Sequence, residues 1–128
     1  AFSKVKNISV VKRGAGGVAD EVVIVTDKGI FKVISEYNIR TVLCDGKTKA
    51  VRQDGSEVSM PNLLPSGFFV IEPSHDKKNV VGYNIIGGGF GHGVGMSQNG
   101  AKNMALQGLN AEQILKFFYE GCEICSGN

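Results

Sequence analysis

The sequence predicts an α+β fold in which antiparallel strands and hairpins come first and two helices come last, after a glycine-rich loop. Two observations support this order. In the first part of the chain, β-branched and aromatic residues cluster in short runs between turn residues, a pattern typical of hairpins. The last part instead carries two stretches with helix-capping residues at both ends. The length suits one domain with its own core, so we treat residues 1–128 as a single domain.

Three strands and the turns between them open the chain. The strands are predicted at residues 7–12, 21–26 and 30–34, with turns at residues 14–17 and 27–29. The second of these turns reads Asp-Lys-Gly, which is a three-residue hairpin signal. We therefore expect the second and third strands to pair as a hairpin.

A short helix is predicted next. Ser35 is a candidate N-cap, and Ile39, Val42 and Leu43 share one face at the helical spacing i, i+3, i+4. An Asp-Gly pair at residues 45–46 is expected to end the helix.

The middle of the chain is polar and then irregular. Residues 47–60 carry a weak hairpin signal at an Asp-Gly pair, and Pro61 and Pro65 indicate an irregular connection. Two further strands are predicted at residues 67–72 and 80–86, with a turn at residues 73–76 between them. The second of these strands leads into the glycine-rich loop.

Two helices are predicted after the loop. The first runs from Ser97, its N-cap, to Gln107, and Gly108 is a typical residue just beyond a helix end. The second begins at Asn110, with Gln113 three residues later in a capping-box pattern. Its apolar stripe consists of Ile114, Leu115 and Phe118.

Charge and hydropathy indicate neither nucleic-acid binding nor a membrane span in this chain. The net charge of +2 is too weak to indicate nucleic acid, and the lysines and arginines are scattered except near residues 47–49 and 77–78, which we interpret as solvated turns. No apolar run approaches the length of a membrane span. Because the chain begins with Ala1 and shows no signal peptide, we expect a processed product or a piece of a longer protein.

The three cysteines leave several interpretations open. Their odd number argues against a full disulfide framework. Cys122 and Cys125 have the spacing of metal ligands or of a redox pair, but no second cysteine pair accompanies them. We favour ordinary thiols or a disulfide near the end of the chain, with a metal site and a redox centre as alternatives.

The glycine-rich loop is the main candidate for a functional site. Glycines occupy positions 87, 88, 89, 91, 93 and 95, and His92 lies between two of them. Such a backbone can adopt positive φ angles and lets another molecule approach closely. The loop contains no Gly-x-Gly-x-x-Gly pattern, and neither Lys nor Ser/Thr follows Gly100 as a phosphate-binding loop requires. Nucleotide binding is therefore not indicated.

Hydrolase chemistry based on serine or zinc is not indicated either. Ser97 has no Gly-x-Ser-x-Gly frame, and two histidines are too few for a typical zinc hydrolase. An uncharged polar ligand in an open groove remains, held by loop N–H groups and by polar and aromatic side chains. The candidates are His92, Ser97, Gln98 and Asn99 for hydrogen bonds, and Phe90, Phe117, Phe118 and Tyr119 for sugar faces. The alternatives are core packing for Phe117 and Phe118, and a turn histidine bonded to backbone for His92.

The loop and the segments around it resemble a known family. Residues 89–101 read Gly-Phe-Gly-His-Gly-Val-Gly-Met-Ser-Gln-Asn-Gly-Ala, and residues 114–121 read Ile-Leu-Lys-Phe-Phe-Tyr-Glu-Gly. Both are similar to the stage II sporulation protein D / amidase-enhancer family. Looser matches at residues 39–40 and 64–69 extend the resemblance to about residues 29–124. Gly88 stands where that family usually has Arg, and Phe90 where it usually has Trp.

The resemblance implies that the chain is the C-terminal part of a sporulation protein D-like domain. For the full-length parent it implies a lytic transglycosylase that cleaves glycan strands between N-acetylmuramic acid and N-acetylglucosamine during engulfment. The alternative is a non-catalytic module that binds the cell wall or modulates an amidase. The implied substrate-binding residues are Gly89, Gly91, His92, Gly93, Ser97 and Gln98. No metal or other cofactor is expected.

The family's catalytic glutamic acid comes from an upstream segment that nothing in this chain matches. We therefore assign the acid to none of its residues, and we interpret Glu36 and Glu72 as surface carboxylates. The absence of Arg at Gly88 also removes a cation that could hold the substrate. The expected partners are peptidoglycan glycan strands, with other cell-wall hydrolases or engulfment proteins. The expected location is the cell envelope of a spore-forming bacterium, outside the cytoplasm, with an anchor in a preceding segment.

Overall fold

The computed structural model describes residues 3–125 of the chain. These residues form two compact units: one ends at Gly93, and the second begins at Val94. The first unit contains all the strands of the described residues and one helix, and the second contains two helices. This order of antiparallel hairpins followed by C-terminal helices confirms the α+β class.

The first unit opens with a three-stranded antiparallel sheet. Its strands are β1 (Val5–Arg13), β2 (Ala19–Thr26) and β3 (Ile30–Ile34), in the order β1-β2-β3. In the turn between β2 and β3, Thr26 donates to the Gly29 carbonyl from its amide at 2.9 Å and from its hydroxyl at 3.0 Å. The predicted hairpin is therefore confirmed.

The core of this unit lies between β2 and the first helix. Val22, Ile24 and Thr26 alternate along β2 and are buried, as the β-branched run requires for one face of a strand. Helix α1 (Glu36–Val42) packs on this strand, and its Ile39 is fully buried. The remaining buried apolar members of the cluster are Ala19, Met60, Leu64 and Phe69.

Helix α1 lies where it was predicted but differs in two details. The Ser35 side chain makes no capping hydrogen bond, because its backbone has φ 75° and ψ 143°. The expected face of Ile39, Val42 and Leu43 is wrong at Val42, which is 56% exposed. The second buried position of the helix belongs instead to Arg40, whose guanidinium is hydrogen-bonded.

Two hairpins follow α1. The first pairs β4 (Lys49–Val51) with β5 (Glu57–Ser59) and confirms the weak signal at residues 54–55. The second pairs β6 (Phe69–Asp76) with β7 (Asn79–Gly87).

The predicted turn at residues 73–76 is wrong, because these residues belong to β6. The turn consists of Lys77 and Lys78, and Lys77 adopts φ 56°. Pro73 is compatible with the strand because β6 pairs on one side only among the described residues, and proline is tolerated on such edge strands.

The second unit contains α2 (Gln98–Leu106) and α3 (Ala111–Phe118). Helix α3 begins with the full capping box: the side chain of Asn110 accepts from Gln113 N, and the side chain of Gln113 accepts from Asn110 N, both at 2.9 Å. Gly108 follows α2 with φ 92°, as expected of a residue after a helix end. Both predicted helices are confirmed. Within residues 3–125, no helix combines the length and apolar character needed to cross a membrane.

Candidate functional site

The glycine-rich loop leaves β7 on a backbone that the preceding segment holds in place. Gly88 N donates to the Phe68 carbonyl at 3.0 Å, and the Ser66 hydroxyl donates to the Gly88 carbonyl at 2.5 Å. The same hydroxyl accepts from Phe68 N at 2.9 Å. Ser66 also forms an isolated parallel bridge with Gly91. The start of the loop is therefore fixed by residues 66–68.

A second anchor connects the loop to helix α1. The Pro65 carbonyl accepts from Gly91 N at 2.9 Å and from Arg40 Nη2 at 3.1 Å. Arg40 Nε also donates to the Leu64 carbonyl at 2.8 Å, and its Nη1 pairs with the Glu36 carboxylate at 3.1 Å. Arg40 thus holds the segment that in turn holds the loop.

Two glycines of the loop are required by its conformation. Gly91 has φ 121°, in a region that residues with a side chain rarely adopt. Gly93 has φ 71°, and a Cβ atom placed there would lie 2.6 Å from Val18 Cγ2. By contrast, a Cβ atom at Gly88 would meet nothing within 4 Å. The path of the loop therefore requires glycine at positions 91 and 93.

The loop presents its two large polar or aromatic side chains to solvent. Phe90 is 94% exposed, and His92 is also exposed. A phenylalanine that is almost fully exposed on a fixed backbone is unusual, because large apolar side chains are normally buried. This arrangement suits contact with another molecule.

Four of the six expected substrate-binding residues lie on this loop in the first unit, namely Gly89, Gly91, His92 and Gly93. The other two belong to the second unit. Ser97 is the N-cap of α2, where its Oγ accepts from Gly100 N at 3.0 Å, and Gln98 is the first residue of that helix. The side chains of Ser97 and Gln98 are exposed.

The aromatic residues of α3 have different environments. The core interpretation of Phe117 is wrong, because it is 67% exposed; its ring meets that of Phe118 edge to face at 5.1 Å. Neighbouring residues on a helix point about 100° apart, so Phe117 lies off the stripe of Ile114 and Phe118. Tyr119 is 44% exposed, and its hydroxyl accepts from Met96 N at 3.2 Å.

An open hollow with a volume of about 420 Å³ lies beside the start of the loop, and no pattern in the sequence predicts it. Its lining consists of Arg13, Gly17, Phe68, Phe69, Val70, Ile86, Gly87 and Gly88. No sequence signal marks Arg13, which ends an ordinary alternating strand far from the loop in sequence.

The cysteines are free thiols in this structure, and the Cys44 Sγ donates to the Met60 carbonyl at 3.2 Å. The suggested disulfide near the end of the chain is therefore not formed. In the described part of the chain, no group of three or more His, Cys, Asp or Glu side chains is arranged to hold a metal ion. His75 is far from Cys122 and Cys125 in sequence, and it lies on β6 opposite Val80.

Several glutamates are ion-paired. Glu36 was expected at the surface, but its side chain is only 20% exposed and it pairs with Arg40, so that interpretation is wrong. Glu21 pairs with Lys32, Glu57 with Lys49 and Glu112 with Lys116. The hydrogen bond from Lys116 lowers the pKa of Glu112. Glu72 is exposed, as expected.

Parts of the chain are similar in sequence to other bacterial proteins. The chain is 36% identical over 102 residues to an uncharacterized protein of Brachyspira hyodysenteriae. The matched region covers 73% of this chain and 26% of that protein. The chain is 50% identical over 50 residues to the amidase enhancer of Bacillus subtilis, and this match covers 39% of the chain and 7% of that protein. Stage II sporulation protein D of the same organism is 56% identical over 36 residues, covering 28% and 10%.

These matches confirm part of the expected relationship. The chain is related over short stretches to stage II sporulation protein D and to the amidase enhancer, and it spans no more than 26% of the length of any of these three relatives. No solved structure matches the chain.

The family assignment comes from a longer match. A family model described as a domain of unknown function (DUF8618) matches residues 1–95, which include the six glycines of the glycine-rich loop. The chain therefore belongs to the family of the domain of unknown function DUF8618.

Proposed function

We propose that the chain is the C-terminal part of a sporulation protein D-like domain that acts on peptidoglycan. In this proposal the glycine-rich loop binds glycan strands, and the parent protein cleaves them as a lytic transglycosylase. The short matches to stage II sporulation protein D and to the amidase enhancer support the assignment to this group.

The observation that carries the proposal is the exposed loop on a fixed backbone. Phe90 and His92 face solvent, while Ser66 holds Gly88 and the Pro65 carbonyl holds Gly91. An aromatic face can cover the apolar side of a sugar ring, and an imidazole can hydrogen-bond a hydroxyl or an acetamido group. A preorganised loop loses less conformational entropy on binding than a disordered one.

The glycines contribute mainly by lacking side chains. The amide of Gly91 already donates to Pro65, so its role is to let the glycan approach the backbone. We assign the same role to Gly89 and Gly93, and a hydrogen-bonding role to His92. Ser97 and Gln98 lie in the second unit, and we assign each of them a hydrogen-bonding role toward glycan there. The Ser97 hydroxyl can still donate its proton while it caps α2.

The proton donor lies outside this chain in our proposal. In a lytic transglycosylase a glutamic acid protonates the glycosidic oxygen, and a hydroxyl of the muramic acid then closes an anhydro ring without consuming water. Such an acid must stay protonated near neutral pH, which requires a partly desolvated site. Ion-paired or exposed carboxyl groups, such as Glu36 and Glu72, do not suit this role.

The alternative function is a non-catalytic module that binds the wall or modulates an amidase, and the match to the amidase enhancer favours it. Both functions place the protein in the cell envelope outside the cytoplasm, with an anchor in a segment preceding this chain. Both also imply other cell-wall hydrolases or engulfment proteins as partners.

Mass spectrometry of glycan strands incubated with the full-length parent separates the two functions. Anhydromuramoyl ends would establish the transglycosylase, whereas binding without cleavage would establish the binding module. For residues 1–128 alone we expect weak glycan affinity and no turnover. Cleavage by this chain would show that its own residues include the acid. Parent protein that neither binds nor cleaves glycan would refute the transglycosylase and the wall-binding module.

A further inference from the structure

The hollow beside the glycine-rich loop has an apolar floor. Phe68 and Val70 are two residues apart in extended chain and therefore face the same side, and Ile86 lies opposite Val70 across the hairpin. These three side chains are 53%, 48% and 54% exposed, respectively. The ring of Phe68 rests on Gly17, where a Cβ atom would lie 2.7 Å from Cε2.

A fixed positive charge lies at the edge of this floor. Arg13 Nη1 donates to the Gly17 carbonyl at 2.9 Å, and Nη2 donates to the Phe69 carbonyl at 2.7 Å. Both acceptors are neutral, and none of the carboxylates of residues 3–125 forms an ion pair with Arg13. Because a guanidinium has five N–H donors, about three remain for a ligand.

We propose that this hollow binds the carboxylate end of a short peptide with small apolar side chains. A guanidinium fork matches a carboxylate in geometry and in charge, and a guanidinium already held by two carbonyls loses little freedom on binding. The apolar side chains of the peptide would cover Phe68, Val70 and Ile86 and remove their surface from water. This site is separate from the glycan-binding role of Phe90 and His92.

The lining favours a peptide terminus over a sugar. Apart from Arg13, it contains no side chain with a hydroxyl, amide or carboxylate group. A sugar would bring several hydroxyl groups to a surface that offers them few partners, which is unfavourable. The volume of about 420 Å³ is within the range of small-ligand sites, about 300–1,000 Å³.

The test is an NMR titration of the ¹⁵N-labelled chain with acetyl-Ala-Ala and with its C-terminal amide. The acid should shift the amide signals of Val70, Ile86 and Gly88 and should bind at least tenfold more tightly than the amide. Equal binding of the two peptides, or no binding of either, would overturn the proposal. This comparison uses only the unmodified protein, so it does not depend on how any variant folds.

Two arginine variants locate the charge. Arg13→Gln should lower affinity for acetyl-Ala-Ala at least tenfold, whereas Arg52→Gln, at an exposed arginine outside the hollow, should leave it unchanged. Retained affinity in Arg13→Gln would refute the role of Arg13. N-acetylmuramic acid serves as a third probe, and stronger shifts of these same amides by that sugar would overturn the choice of a peptide. Glycan binding at Phe90 and His92 can succeed or fail independently of all three results.

Discussion

Arg40 and Gly91 donate hydrogen bonds to the same atom, the carbonyl oxygen of Pro65, at 3.1 Å and 2.9 Å, respectively. Arg40 is only 8% exposed, and its other nitrogens bind Glu36 and the Leu64 carbonyl. One buried side chain of α1 therefore connects the core of the first unit to the glycine-rich loop.

Arg40→Met should strongly destabilise the first unit. The change keeps an apolar stem but leaves the Glu36 carboxylate and the carbonyls of Leu64 and Pro65 without their partner. Breaking a buried ion pair in this way typically costs about 3–5 kcal/mol, and we expect the lower end because the Glu36 side chain is 20% exposed. Urea denaturation measures the loss, and amide hydrogen exchange at Gly91 should become faster.

Two further variants control this experiment. Arg52→Met, at an exposed position, should change the free energy of unfolding by less than about 0.5 kcal/mol. Arg40→Met combined with Glu36→Leu should recover part of the loss, because no unpaired charge then remains. An Arg40→Met protein as stable as the Arg52→Met protein would show that Arg40 is not an anchor.

Gly93→Ala should be destabilising, whereas Gly88→Ala should be tolerated. At Gly93 the new methyl group would meet Val18 Cγ2 at 2.6 Å, and φ 71° is strained for alanine. Backbone strain of this kind costs about 1–3 kcal/mol. At Gly88 there is nothing within 4 Å of the new methyl group. Chemical denaturation of the two variants compares these sites directly.

Val18→Ala separates the two causes at Gly93. It removes the clash but not the strain of positive φ, so the double variant should be more stable than the sum of the single effects predicts. Strictly additive effects would mean that the contact with Val18 is unimportant.

The sequence located the loop but not the residues that hold it. The glycine pattern and the flanking capping residues are local signals, and the loop and both C-terminal helices lie where these signals indicate. Arg40 and Pro65 reach the loop only through the fold, which a local pattern does not encode. Similarly, the sequence has Gly88 where the related family usually has Arg, so no cation is expected there. The fold nevertheless brings Arg13 to the hollow that Gly88 lines.

The misplaced turn has a comparable cause. Proline and aspartate at residues 73–76 favour a turn locally, but pairing with β7 continues to Asp76 and gains further cross-strand contacts. The turn then falls at Lys77 and Lys78. Tertiary pairing outweighed local preference at this point.

Ser97→Ala should weaken α2 by removing its cap. The Ser97 Oγ accepts from Gly100 N at 3.0 Å, and loss of such a cap typically costs about 1 kcal/mol. Ser97→Asp should retain stability because aspartate also caps and favours a helix N-terminus. Asn103→Ala, in the exposed middle of the same helix, should be neutral or slightly stabilising. Circular dichroism melts rank the variants, and a fully stable Ser97→Ala protein would contradict the capping role.

Stability should fall in acid through two aspartates of the first unit. The hydrogen bond from the Ser3 hydroxyl lowers the pKa of Asp27 below its ordinary value of 3.8. The hydrogen bond from Thr48 N lowers the pKa of Asp45 in the same way. A folded-state pKa below the unfolded value stabilises the protein above about pH 4, and this contribution is lost as the pH falls through the folded-state value.

Melting temperatures between about pH 6 and pH 2 test this dependence. The double variant Asp27→Asn with Asp45→Asn should show a shallower decline, because asparagine still accepts hydrogen bonds but does not titrate. An unchanged acid slope in the double variant would rule out these two groups.

His92→Ala should lower glycan cleavage or binding by the parent protein while leaving its melting temperature nearly unchanged. The side chain is exposed, so its removal leaves the core of the first unit intact, and the loop keeps the hydrogen bonds at Gly88 and Gly91. His92→Gln provides the matched variant, since an amide can replace one hydrogen bond of the imidazole and should recover part of the activity. Glycan pull-down and product analysis give the functional measurement, and calorimetry gives the stability. If His92→Ala binds and cleaves glycan as well as the unmodified parent, the imidazole has a structural role in the turn and does not contact the ligand.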